Sequence, residues 1–153
     1  MRRAAFILSV VALLAEPGLP FARDDDTPAL SPEHEAGRRA IGAKEWDSAL
    51  KALMPAESRE PRNADLHNLL GYAYRNLGKL DLAFKHYERA LALNPSHLGA
   101  HEYVGEAWLM ADNLAKAEQH LAALRNLCTR VCEERDDLEK AIEAYRRRTA
   151  GSR

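Results

Sequence analysis

From Leu66 onward, apolar residues return every three or four positions. Leu66, Leu69, Leu70, Ala73, Tyr74 and Leu77 fall on one face of a helix, with polar residues between them. Gly78 follows, a residue suited to the left-handed conformation that closes a helix. A second stripe, Leu80, Ala83, Phe84, Tyr87, Ala90 and Leu91, predicts a second helix. Asn94-Pro95 stops it, because proline has no amide hydrogen to continue the ladder. The unit is a helix-turn-helix pair of about 34 residues.

That unit recurs in register. Gly37, Gly71 and Gly105 are 34 apart, as are Ala49, Ala83 and Ala117. Leu53, Tyr87 and Leu121 keep the same step, and so do Pro61 and Pro95. Small residues at helix crossings let two helices approach to about 8–10 Å, and larger side chains fill the space between layers. A single pair cannot bury its own apolar face, so each unit needs a neighbour. Beyond residue 22 the β-branched aliphatics are Ile41, Val104, Val131 and Ile142, too few to support a sheet. Residues 132–148 carry one more stripe, Leu138, Ala141, Ile142 and Tyr145. Acidic residues at its start and basic residues at its end suit the helix dipole, and the segment is predicted to be a solubilising cap.

These residues resemble the tetratricopeptide repeat family. Residues 64–97 carry its pattern in Leu70, Gly71, Tyr74, Gly78, Ala83, Tyr87, Ala90 and Pro95. Residues 98–131 carry Gly105, Trp108 and Ala117, with Leu121 in place of the aromatic and Thr129 in place of the proline. Residues 30–63 carry Gly37, Ala49, Ala56 and Pro61, with Ala40 in place of the aromatic. The resemblance implies an all-α, right-handed α-solenoid of three helix-turn-helix repeats (30–63, 64–97 and 98–131). A capping helix, 132–148, and a tail, 149–153, complete it. It implies packing roles for Gly37, Ala49, Gly71, Tyr74, Ala83, Tyr87, Pro95, Gly105, Trp108 and Ala117.

It also implies a non-enzymatic protein-interaction module, whose first helices line a concave groove for a peptide or a helix. By repeat position the groove takes His34, Arg38 and Ile41, then Asp65, Asn68, Tyr72, Arg75 and Asn76, then Glu102, Glu106, Leu109 and Met110. It would be basic at one end, aromatic in the middle and acidic at the other. Some members clamp a C-terminal carboxylate with Lys and Asn. Glu102 and Glu106 stand where cations would be needed, so no such clamp is expected here.

Charge narrows the partners. Lys and Arg number 22 against 23 Asp and Glu, for a net charge of -1. No global basic charge exists to hold phosphate backbones, so nucleic acid is not an expected partner. Arg2 and Arg3 precede an apolar stretch from Ala4 to Ala15. As a helix it would rise about 18 Å, short of a hydrocarbon core of about 30 Å. Residues 1–22 are therefore expected to be a signal peptide, followed by a linker, 23–29. The expectation is an exported, periplasmic protein without a stable membrane anchor, monomeric or weakly oligomeric. Heavy use of Ala, Arg and Leu fits a bacterial source.

Cys128 and Cys132 are the two cysteines, four residues apart. They are expected to form a disulfide in an oxidising compartment, two reduced thiols being the alternative. If α-helix ran through them, the Cα atoms would stand about 6 Å apart, inside the roughly 4.4–6.8 Å that a bridge accepts. Their spacer is one residue too long for the thiol–disulfide exchange motif, and Glu133 rather than His follows, which excludes haem attachment. His67 and His101 are 34 apart, as are His86 and His120. Stacking would hold each such pair near the inter-repeat spacing of about 10 Å, too far to share an ion. No metal or cofactor is expected. No glycine-rich phosphate loop and no nucleophile with a neighbouring base stands in the chain. The function read from these residues is a protein-interaction scaffold in the bacterial envelope. The alternatives are a self-associating structural protein and an accessory subunit of an envelope redox or secretion complex that uses the cysteine pair.

Overall fold

The computed structural model describes residues 30–151. The expected signal peptide and linker, and the last two residues, lie outside that range. Among the described residues there are seven helices and no strand: α1 Pro32–Gly42, α2 Trp46–Arg59, α3 Ala64–Asn76, α4 Leu80–Leu93, α5 Leu98–Met110, α6 Leu114–Leu127 and α7 Glu133–Ala150. The last helix runs two residues into the stretch read as a tail.

Local chemistry sets the helix starts. Ser31 accepts a hydrogen bond from the His34 amide, and Pro32 occupies the first turn of α1, where a missing amide hydrogen costs nothing. Asn63 and Asn113 cap α3 and α6 in the same way. His97 caps α5 through Nδ1, which accepts from the Ala100 amide. The turn inside each hairpin needs one left-handed residue. Gly78 meets it with φ 71°, but its repeat equivalents are Lys44 at 59° and Asp112 at 54°, side chains that adopt this region at a cost.

Each odd helix pairs with the even helix that follows it, and α7 packs on α5 and α6. The odd helices α1, α3, α5 and α7 touch in series, whereas among the described residues α2, α4 and α6 do not touch one another. The odd helices therefore form one continuous layer, the inner layer of the stack. Leu53, Leu66, Leu70, Ala83 and Tyr87 are sealed in the core of the first two repeats. Leu109, Ala117, Leu121, Leu124, Leu138 and Ile142 make a second core. Phe84 and Trp108 stack across the boundary, ring centroids 4.0 Å apart.

Two of the three periodic glycines meet the residue sixteen positions on. A Cβ on Gly37 would collide with Leu53, and one on Gly71 would lie 2.6 Å from Cε1 of Tyr87. Gly105 departs from the period: its notch is filled by Leu138 of α7, 2.6 Å from an added Cβ, rather than by Leu121. The cap helix takes the place beside α5 that a further repeat would occupy, and it is part of the packing.

Candidate peptide-binding groove

The inner layer presents α1, α3, α5 and α7, and most of the residues expected to line a groove lie there. Arg38 is exposed on α1, in a cleft shared with Ile41, Asp65, Asn68 and Leu69. Tyr72 follows on α3, with the Trp46 ring edge-on at 5.7 Å and the Tyr103 ring at 4.6 Å. The Arg75 guanidinium sits over both tyrosines, 5.1 Å from the Tyr72 centroid and 5.6 Å from that of Tyr103. Its Nη1 is 2.6 Å from Oε2 of Glu106 on α5. Arg75 is thus a paired, mostly buried cation on the groove floor. A second cleft, between Arg75, Glu106, Leu109, Met110, Ala141 and Tyr145, continues the groove toward α7. Met110 stands half exposed there.

Electrostatics divides the groove. Burial raises the Glu102 carboxyl, and the like charges of Glu106, Asp137 and Glu134 raise it further. Arg75 opposes them only in part, and the pKa reaches about 8. Burial also lifts the Tyr103 phenol to about 12, with Glu102 adding to the effect. The far end is an acidic pocket in which at least one carboxylate gains by meeting a cation.

The structure corrects some expected positions. His34 does not face the groove: it is wholly buried, and its Nδ1 lies 2.8 Å from Oε2 of Glu60. Glu60 also accepts from the Ser31 amide and from Nδ2 of Asn63, tying α1 to the α2–α3 turn. Burial alone would raise the Glu60 carboxyl, but hydrogen bonds from Ser31, His34 and Asn63 outweigh it and hold the pKa at about 2. Asn68 is only 7% exposed and presents little surface. Trp46 and Tyr103 stand outside the family's groove positions, and sequence reasoning missed them. Glu134 and Asp137, at the acidic start of the cap helix, are half-buried and act on Glu102.

Two further clusters lie away from the groove. Cys128 and Cys132 flank the α6–α7 loop instead of sharing a continuous helix. Their Cα atoms are 5.9 Å apart, and their sulfurs are at bonding distance. The histidines pair within repeats, not between them. Nδ1 of His67 is 3.3 Å from Nδ1 of His86, and Nδ1 of His101 is 3.0 Å from Nδ1 of His120. Burial lowers the pKa of His86 and, with His101 beside it, that of His120 to about 4.

Sequence profiles of the tetratricopeptide repeat match residues 64–97 and 85–127. Residues 64–127 therefore carry tetratricopeptide repeats. It is 31% identical over 75 residues to the Drosophila melanogaster protein O-mannosyl-transferase Tmtc3, a match that covers 49% of this chain and 8% of that protein. It is 34% identical over 55 residues to the uncharacterized protein ycf37 of Guillardia theta, covering 36% of this chain and 31% of that one. The chain therefore spans under a third of the length of either relative. Among solved structures, the first such domain of Spaghetti (RPAP3), bound to the HSP90 peptide SRMEEVD, superposes with a TM-score of 0.65 at 24% identity, over 73% of this chain and 89% of that one. The Yersinia enterocolitica type III secretion chaperone SycD, in complex with a peptide of the translocator YopD, superposes with a TM-score of 0.66 at 17% identity, over 76% and 92%. The yeast Sti1 TPR2B domain with pHsp70 gives 0.69 at 18%, over 76% and 94%.

Proposed function

We propose that this chain is a non-enzymatic interaction module, exported to a bacterial envelope, that takes an extended peptide or a helix along its concave face. The observation that carries the reading is the row Arg38, Tyr72, Arg75, Tyr103 and Glu102 on one continuous inner layer. Rigid rings in the middle supply contact area at low entropic cost, and direction is set by Arg38 at one end and, at the other, the acidic pocket of Glu102, Glu134 and Asp137, where an incoming cation favours the ionised form of Glu102. Structural neighbours solved in complex with peptides support the same use of the fold. The acidic end selects against the acidic tail named in the first of them and favours a segment that brings a Lys or Arg to Glu102. Export is supported by the charged and apolar pattern of residues 2–15, and by a cysteine pair held at bonding distance, which an oxidising compartment would keep bridged. No helix among the described residues is long and apolar enough to cross a membrane.

The test is position-specific photocrosslinking in the native envelope. A crosslinker at Tyr72 should capture a partner, and Glu102→Gln should weaken that capture. One at Ala122, on the outer layer, should not capture it. Equal capture from both positions would remove the groove reading. Fractionation and thiol labelling of the same cells test export and the bridge: a cytoplasmic pool with two reactive thiols would overturn both.

A further inference from the structure

On the side of the stack away from the groove, three helices bring one carboxylate and two imidazoles together. Glu57 comes from α2, His67 from α3 and His86 from α4, and a ligand atom from each lies within 4.8 Å of the others. We propose that this cluster is a transition-metal site of the zinc class, fastening the first repeat to the second.

The geometry is specific. His67 donates Nε2–H to the Pro61 carbonyl at 3.2 Å, which leaves Nδ1 as the lone-pair nitrogen. A backbone carbonyl holding the far nitrogen of a ligating imidazole is the usual outer contact of a metal site, because it selects the tautomer. The two Nδ1 atoms stand 3.3 Å apart, and the ring centroids are 5.6 Å apart, as expected for imidazoles that meet nitrogen to nitrogen. In the metal-free state one proton is shared along that line. A tetrahedral ion with bonds of about 2.0–2.1 Å needs its nitrogen ligands about 3.3 Å apart, so the ion replaces the proton after each ring turns by roughly 35°. Oε1 of Glu57 is already 3.8 Å from Nδ1 of His67. The Tyr74 ring stacks on His86 with centroids 5.4 Å apart. The cleft also holds Glu88, Lys85 and Arg89. Two imidazoles and a carboxylate are a borderline donor set, and the open side of the cleft leaves a fourth position for water.

The next repeat supplies an internal control. His101 and His120 reproduce the pair, with Nε2 of His101 donating to the Pro95 carbonyl at 3.0 Å. The repeat equivalent of Glu57 is Leu91, however, so that pair lacks the third ligand.

Zinc titration of the untagged full chain, read by calorimetry and by the melting temperature, tests the assignment. One ion per chain is expected, with a rise in melting temperature. His86→Ala and Glu57→Gln should each weaken binding at least tenfold, and His120→Ala should leave it unchanged. Cobalt in place of zinc should give tetrahedral visible absorption in the parent and not in Glu57→Gln. Glu57 lies on the helix surface, so Glu57→Gln keeps the test valid if His86→Ala does not fold. No binding, or binding lost equally with His120→Ala, would overturn the site and leave the pair as a simple imidazole hydrogen bond.

Discussion

Nη1 of Arg75 and Oε2 of Glu106 are 2.6 Å apart and join α3 to α5 across the floor of the concave face. Both side chains are mostly buried, at 12% and 25% exposure, so the pair links two repeats in a partly dehydrated setting. A double-mutant cycle with Arg75→Ala and Glu106→Ala in urea should give a coupling of about 1–3 kcal/mol. Additive single effects would mean that the contact contributes nothing to repeat docking.

Glu102 sets a pH dependence of the opposite sign to most carboxylates. Its folded-state pKa, about 8, is above the ordinary value of 4.5. Between those limits the folded chain binds more protons than the unfolded one, so this group's contribution to stability falls as pH rises. Glu102→Gln removes the penalty. Its melting temperature should exceed the parent's at pH 8 to 9, and the difference should vanish near pH 4. Parallel curves across that window would show that Glu102 titrates normally.

The hairpin turns offer a paired test. Lys44 holds φ 59° where the equivalent residue in the next repeat is Gly78 at 71°. A side chain in this region costs roughly 1–2 kcal/mol, partly offset by the greater unfolded-state freedom of glycine. Lys44→Gly should therefore stabilise by about 0.5–1 kcal/mol, and Gly78→Ala should destabilise by about 1 kcal/mol. Equilibrium denaturation measures both, and a loss on Lys44→Gly would contradict the account.

Two helical glycines should respond in opposite directions to one substitution. At Gly71 an added methyl lies 2.6 Å from the Tyr87 ring, and Tyr87 is fully buried and cannot retreat. Overpacking there should cost about 1–3 kcal/mol. Gly42 has nothing within 4 Å of the same added atom. Gly42→Ala should gain about 0.5–1 kcal/mol from helix propensity alone. Equal effects at both sites would show that the crossing at Gly71 is not tight.

Much of the architecture was legible because it is local. The apolar stripe of 66–77, the stop at Asn94-Pro95 and the 34-residue step need only the geometry of one helix to be read. The turn chemistry was legible at Gly78 and hidden at Lys44 and Asp112, where tertiary packing imposes a conformation their own propensities disfavour. Placement on the inner layer was legible by repeat position for Tyr72, Arg75 and Glu106. It was not legible for Tyr103, one step off those positions, or for Glu134 and Asp137, which reach Glu102 only because α7 lies along α5.

Sequence alone therefore determined that the chain is helical, that hairpins stack in register, and which face of each helix is apolar, since periodicity is a property of neighbouring residues. Tertiary structure decided which polar groups meet. Arg75 with Glu106, His67 with His86 and Glu57, and Gly105 with Leu138 all join different helices. Their meeting depends on how far each helix is turned and slid against the next, and the filling of the core between them sets that rotation and stagger.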